Sequence, residues 1–333
     1  MRKIAMTESW KAWAGKRVGE DFPLLRYLGG SEASAVFLTE WGKPGPRPAA
    51  IKLISPEPAN AETLVAQWRR MAELSHPNLL PILAVGQGQL ENVPLIYHVT
   101  EYAEEVLAQV IPQRPLSADE AADLLGPILE ALTYLHRKSW VHSRLKPSNL
   151  LSVADQLKLS SDGLCRMGEL REAAWKPGPY DPPGIPGRRV SAAGDVWSLG
   201  VTLVESLTQR LPVWNPAQAR EPSLPLTLPS PFQDIAVHCL QPDPADRWTL
   251  AEIAARSRQP SSAAPEPPLP SVPEGFAGWL GRRLGWRLSC PHCRSRDIAR
   301  SRRRGAVEKA LSSIALPYRC DRCGARFFRW RQG

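Results

Sequence analysis

The sequence predicts an α+β chain with a strand-rich front, a helix-rich back and a small basic unit at its carboxy end. Three observations carry that prediction. Two strand-like runs, "SAVFLTEW" and "AAIKLI", flank the Pro/Gly segment "GKPGPRP" at residues 42–48, as the strands of a hairpin flank their loop. Downstream, apolar residues recur at helical spacing, first in Leu124, Leu125, Ile128, Leu129, Leu132 and Leu135, later in Val196, Leu199, Gly200, Leu203 and Leu207. Past residue 258 the chain reads "QPSSAAPEPPLPSVPE", whose prolines block helix and ladder hydrogen bonds and whose small side chains offer little to bury.

These shifts divide the chain into an N-terminal extension at residues 1–18, a two-lobed domain at 19–258, a Pro-rich linker at 259–275 and a basic domain at 276–333. The lobes meet near residue 102. Ser117-x-x-Glu120 has the form of a capping box ahead of the first apolar-striped helix, and Pro127 is expected to bend that helix or weaken one turn. A further helix is predicted over residues 60–74. Ser230 before Pro231 predicts an N-cap with proline at the first helical position.

With 333 residues, 43% of them apolar, the chain has material for a large core and for about two domains. It has no apolar run near the roughly 20 residues that span a bilayer. Its start, "MRKIAMTESWKAW", carries charges and tryptophans where a secretory signal needs an unbroken apolar stretch, so a cytoplasmic location is expected. Four of the 6 cysteines form two C-x-x-C pairs, which suits a reducing compartment and a metal. Cys165 and Cys239 stand apart and are expected to be packed or inert. The net charge of +9 is uneven: residues 276–333 hold 15 Lys and Arg against 3 Asp and Glu, while the rest holds 27 against 30.

Within residues 20–256 a series of motifs follows in fixed order: "LGGSEASAVF", "AAIKLI", "LSHPNLLPI", "VTEYA", "VHSRLKPSNLL", "LKLSSDGLCR", "YDPPG", "SAAGDVWSLG" and "DPADRW". Together they resemble the eukaryotic-type serine/threonine protein kinases in the form found in bacteria. The resemblance implies a bilobal kinase-like fold with a β-rich N-lobe, an α-rich C-lobe and a nucleotide cleft between them.

It also implies roles for individual residues. Gly29, Ser31 and Ser34 stand at the three glycine places of the phosphate loop, followed by Val36. Serine adds a Cβ where the backbone must approach phosphates, which disfavours the nucleotide. Ala50 and Lys52 stand where the family has the strand residues that meet adenine and the α and β phosphates. Gln67 takes the place of the helix glutamate that holds that lysine, so Lys52 is expected to lack its ion-pair partner. Thr100 falls at the gatekeeper place, with Glu101 and Ala103 offering backbone groups to adenine.

In the catalytic loop Arg144 stands at the aspartate that accepts the substrate proton, while Lys146 and Asn149 match the family. A guanidinium cannot act as a base. The gapless alignment puts Ser161 at the magnesium aspartate and Asp162 at the following phenylalanine; a slipped alignment would instead make Asp162 the metal ligand. Gly184 replaces the glutamate that pairs with Arg247. These losses imply a pseudokinase that acts by signalling or scaffolding, with weak ATP binding and without productive magnesium. The rival expectation is an active atypical kinase that uses Asp162.

The two knuckles, Cys290 and Cys293 in "CPHC" and Cys320 and Cys323 in "CDRC", supply four thiolates as in a structural zinc ribbon. The segment "AVEKALSSIAL" between them is expected to be a helical insert, and His292 is read as an exposed neighbour. Arginines interleave with Phe327, Phe328 and Trp330, which fits either a nucleic-acid surface or a solvated basic face around the unit's own core. "FAGWLGRRLGWRL" is amphipathic and fits contact with an anionic membrane surface or packing on the ribbon. A protein partner is the favoured expectation.

Overall fold

The computed structural model describes residues 10–19, 21–42, 44–55, 58–171, 177–183, 189–213, 222–225, 227–258, 298–300, 315–320 and 326–330. The chain forms two compact units, Met1–Arg258 and Gln259–Gly333.

In the first unit, β1 (Arg17–Val18) and β2 (Phe22–Pro23) form a short hairpin, followed by β3 (Arg26–Gly30), β4 (Ser34–Trp41) and β5 (Arg47–Ile54). Helix α1 (Pro58–Ala72) comes next, then β6 (Ile82–Leu90) and β7 (Val93–Glu101). The last five strands make one antiparallel sheet in the order β3-β4-β5-β7-β6. The sequence alternation decides its two faces. Ala35 and Phe37 of β4 and Ala49, Ile51 and Leu53 of β5 are buried, and with Phe22, Leu24, Leu95 and Val99 they form the N-lobe core. Val36, Ala50 and Lys52 alternate with them and face the opposite way. Residues 10–18 belong to this lobe too: Trp10 and Trp13 are 2% and 4% exposed in the same core, so the extension assigned to 1–18 is structural from Trp10 on.

The C-lobe starts with β8 (Glu105–Val106) and the short α2 (Leu107–Val110), then α3 (Ala118–Arg137). Ser117 caps α3 in a complete capping box with Glu120, whose carboxylate also receives Arg114. Pro127 lies inside α3 without dividing it, because the buried face of Leu125, Ile128, Leu129, Leu132 and Leu135 holds both halves against the core. Strands β9 (Trp140–Val141), β10 (Leu150–Val153), β11 (Gln156–Leu159) and β12 (Cys165–Arg166) carry the loops of the site, and α4 (Ala192–Thr208), α5 (Phe232–Cys239) and α6 (Leu250–Ser257) complete the lobe. The predicted N-cap at Ser230 is not formed. Helix α5 begins at Phe232 with Pro231 at its cap position, and the Ser230 hydroxyl instead receives Arg256 at 3.3 Å.

The main core runs from the inner face of α1, through Val65, Trp68 and Met71, to α3, α4 and α5. It therefore joins the lobes behind the cleft. Cys239 is buried in it and its thiol is pushed up to about 12 by that burial, in keeping with an inert packing role. Among the described residues no helix is long and apolar enough to cross a membrane.

In the second unit, β13 (Ile298–Arg300), β14 (Ala315–Cys320) and β15 (Arg326–Trp330) form an antiparallel sheet in that order. Ala315 and Leu316, the end of the expected helical insert, are strand residues paired with Trp330 and Arg329. Ladder pairing there outweighs the local helical pattern. The rest of that insert, Cys290, His292, Cys293, Cys323, Gly184 and "FAGWLGRRLGWRL" lie outside the described residues.

Candidate nucleotide and phosphotransfer site

A cavity of about 800 Å³ opens between the lobes. Sheet register builds its roof. Val36 pairs with Lys52 and Lys52 with His98, while Ala50 pairs with Thr100, so these residues share the face opposite the N-lobe core. Glu101, Tyr102 and Ala103 follow at its back edge, and Asn149, Leu151, Ser160 and Asp162 form the floor. Lys158 reaches from the floor strand β11 to the Glu101 carboxylate at 2.6 Å, tying the lobes at the hinge.

The loop between β3 and β4 is closed by its own side chains. The Ser31 amide donates to the Ser34 carbonyl at 2.7 Å, the Ala33 amide donates to the Ser31 hydroxyl at 3.3 Å, and the two serine hydroxyls lie 3.0 Å apart. Gly29 has a φ of 151°. The tighter requirement falls on Gly30, where a Cβ would stand 2.3 Å from the Ser34 carbonyl oxygen. The family's spacing points to Gly29 alone; a backbone approach like that at Gly30 leaves no trace in the spacing.

Lys52 does have an ion-pair partner. Its ammonium is bonded to the Asp162 carboxylate, which is 38% exposed toward the cleft. Burial alone would raise the Asp162 pKa, but the charges of Lys52, His98 and Arg144 and the bond from Lys52 outweigh it and hold the carboxyl below its ordinary value. Ser161, by contrast, is 4% exposed and donates its hydroxyl to the Leu80 carbonyl. Ser161, which the gapless alignment sets at the metal aspartate, thus offers the cleft no carboxylate, and the carboxylate beside Lys52 is Asp162, the residue of the slipped alignment. The Asp162 amide bonds the Ser160 hydroxyl at 3.1 Å, and Gly163 follows with a φ of 97°. Gln67 donates to the Leu164 carbonyl at 3.2 Å, so it supports the segment after Gly163 rather than Lys52.

The catalytic loop is stapled from below by Asp195 in the first turn of α4. This fully buried carboxylate accepts from the His142 amide at 2.8 Å and the Ser143 amide at 2.7 Å, and it bonds His136 Nε2 at 2.8 Å. Ser143, at a φ of 55°, donates its hydroxyl to the Gly163 carbonyl at 2.8 Å. Leu145 and Pro147 are buried, and the Asn149 side-chain amide donates to the Arg144 carbonyl at 2.6 Å. Lys146 precedes this turn, half-buried. Arg144 itself is exposed, and its aliphatic stem crosses Gly163 so closely that a Cβ there would lie 2.6 Å from Arg144 Cδ. Arg247 is held by the carbonyls of Gln241, Ala193 and Pro242 at 2.7, 2.8 and 3.0 Å, with its guanidinium 5.0 Å from the Trp197 ring centre.

His98 was not singled out by the sequence. It is 5% exposed beside Lys52, in edge contact with Trp68, and neither ring nitrogen has a protein partner. Burial pushes its pKa down to about 4. Only the alternation of β7, which sets it on the face of Thr100, could have pointed to it.

Comparison with known proteins fits this geometry. The protein kinase domain family model matches residues 25–257. Aurora kinase B of Mus musculus is 27% identical over 254 residues, covering 71% of this chain and 72% of that protein. The serine/threonine-protein kinase PrkC of Bacillus subtilis is 27% identical over 266 residues, covering 72% of this chain and 40% of PrkC. A calcium/calmodulin-dependent protein kinase type 1 of Macrobrachium nipponense is 30% identical over 192 residues, covering 55% of each chain. The match thus spans less than two thirds of the latter two relatives. The chain belongs to the protein kinase family, with a β-sheet N-lobe and a helical C-lobe around the cleft.

Proposed function

We propose that this kinase-like domain is a pseudokinase: it binds a nucleotide and signals or scaffolds by binding, without transferring phosphate to a hydroxyl. The observation that carries the reading is Arg144, which stands at the place of the proton acceptor in a catalytic loop that keeps His142, Leu145, Lys146, Pro147 and Asn149. Loss of a general base lowers the rate by about 10²–10⁴. Lys52, Asp162 and Asn149 line the same cavity and would meet the phosphates. Asn149 uses its amide N–H on the Arg144 carbonyl, leaving its side-chain oxygen as a donor, with the Asp162 carboxylate, for a magnesium ion. The Cβ atoms of Ser31 and Ser34, where the backbone must approach the phosphates, make binding weak, and the Arg144 guanidinium adds positive charge near the phosphate end. Thermal-shift titration of ATP with and without magnesium tests this. Stabilisation without phosphate transfer supports it, and transfer to a protein substrate sinks it.

A second reading is favoured by one observation, the Lys52–Asp162 pair, which gives an active atypical kinase its metal carboxylate. It predicts an activity that Asp162→Ala abolishes.

For residues 276–333 we propose a structural zinc site held by Cys290, Cys293, Cys320 and Cys323, and a role in docking a protein partner. The spacing supports it, as does the three-stranded sheet in which β14 ends at Cys320. Nucleic-acid binding through the basic residues is the competing outcome; it would weaken steeply with salt.

A further inference from the structure

The tip of the serine-closed loop is held from outside the cleft. Trp10 is 2% exposed, and its indole N–H donates to the Glu32 carbonyl at 3.3 Å. Its ring meets Trp13 edge-on with centroids 4.8 Å apart. Trp13 in turn donates to the Glu91 carboxylate at 3.0 Å, and Lys16 pairs with the same carboxylate. Backbone bonds from Gly15 to the Leu24 carbonyl at 2.7 Å and from Leu24 to the Lys16 carbonyl at 2.8 Å fix the segment to the lobe. The N-terminal segment is thus fastened at the β6–β7 turn on one side and at the loop tip on the other.

A loop with glycine at positions 31 and 34 would have no hydroxyls with which to close its turn. Here Ser31 and Ser34 close it, and the one peptide left at the tip, between Glu32 and Ala33, has its carbonyl tied to a buried indole. A loop ordered in advance loses less conformational freedom when a ligand docks beneath it.

We propose that Trp10 is a positioning residue for the phosphates of a nucleotide, acting through the Glu32 carbonyl to fix the loop above the phosphate end of the cleft. This rests on the nucleotide-binding reading above. The base and ribose, which meet the hinge at Glu101 to Ala103, are indifferent to it.

The test uses the full chain with Trp10→Phe, which keeps an aromatic ring and removes the donor, and Trp13→Phe, which makes the same change at the Glu91 anchor. Calorimetric titration should show ATP affinity falling about fivefold in Trp10→Phe, with adenosine within about twofold, and both ligands within about twofold in Trp13→Phe. Equal losses for ATP and adenosine, or none for ATP, overturn the proposal. Hydrogen exchange without nucleotide separates the two readings. Faster exchange of the amides at 31–34 in Trp10→Phe alone supports the clamp, and unchanged exchange overturns it, even if the wild-type chain binds no nucleotide and the nucleotide reading falls.

Discussion

The Lys52 ammonium and the Asp162 carboxylate, 110 residues apart in sequence, form an ion pair across the cleft. The pair joins the roof of the site to its floor, and it restores a carboxylate that the residue order "SSDG" conceals.

Because the pair is partly exposed, its worth lies in the ligand site more than in stability. Asp162→Asn is expected to leave the melting temperature within a few degrees while weakening magnesium–ATP binding by about tenfold or more. Titration of both proteins checks it. Unchanged affinity would show that the carboxylate plays no part in nucleotide binding.

Asp195 gives the opposite balance. It is fully buried and receives two backbone amides and His136, so Asp195→Ala leaves these groups without their acceptor in a largely buried place. Urea unfolding should show a loss of about 3–5 kcal/mol. A loss below about 1 kcal/mol would mean the catalytic loop is not held this way.

His98 sets an acid limb. Its folded pKa, pushed down to about 4 by burial, lies below the ordinary value of 6.5, so the unfolded chain takes up the proton first. Stability is therefore complete above pH 6.5 and is lost as the pH falls from 6.5 toward 4. His142, also lowered by burial, acts in the same direction. His98→Leu should flatten the limb by about one proton and, by removing two unpartnered buried nitrogens, stabilise the protein at pH 7 by about 1 kcal/mol. Urea unfolding at pH 7, 6 and 5 measures both effects.

For the C-terminal unit, metal analysis of the purified chain should find one zinc per chain. Cys290→Ser or Cys323→Ser should release it and unfold residues 276–333 without lowering the melting of residues 10–258. A zinc-free, folded unit would remove the ribbon proposal.

Much of the kinase-like architecture was legible because it is written in periodicity and in caps. The runs "SAVFLTEW" and "AAIKLI" gave two strands and their hairpin, and Ser117 with Glu120 gave the start of α3. The site was legible only where one residue type does one job, as with Arg144, Lys52 and Asn149. Asp162 was left between two alignments because its side chain is set toward Lys52 by an ion pair between distant segments, which spacing does not record. Trp10, Gly30 and His98 were missed because their roles depend on contacts between segments distant in sequence or on backbone approach, which no local pattern records.

The central claim is that the site holds a nucleotide yet lacks the base that would make it transfer phosphate. The most direct measurement is phosphate transfer from labelled ATP with magnesium to a mixed serine/threonine peptide library, by the wild-type chain and by Arg144→Asp. The account predicts ATP binding by both, no transfer by the wild-type chain, and transfer raised by about 10² or more in Arg144→Asp. Transfer by the wild-type chain that Asp162→Ala abolishes would contradict it.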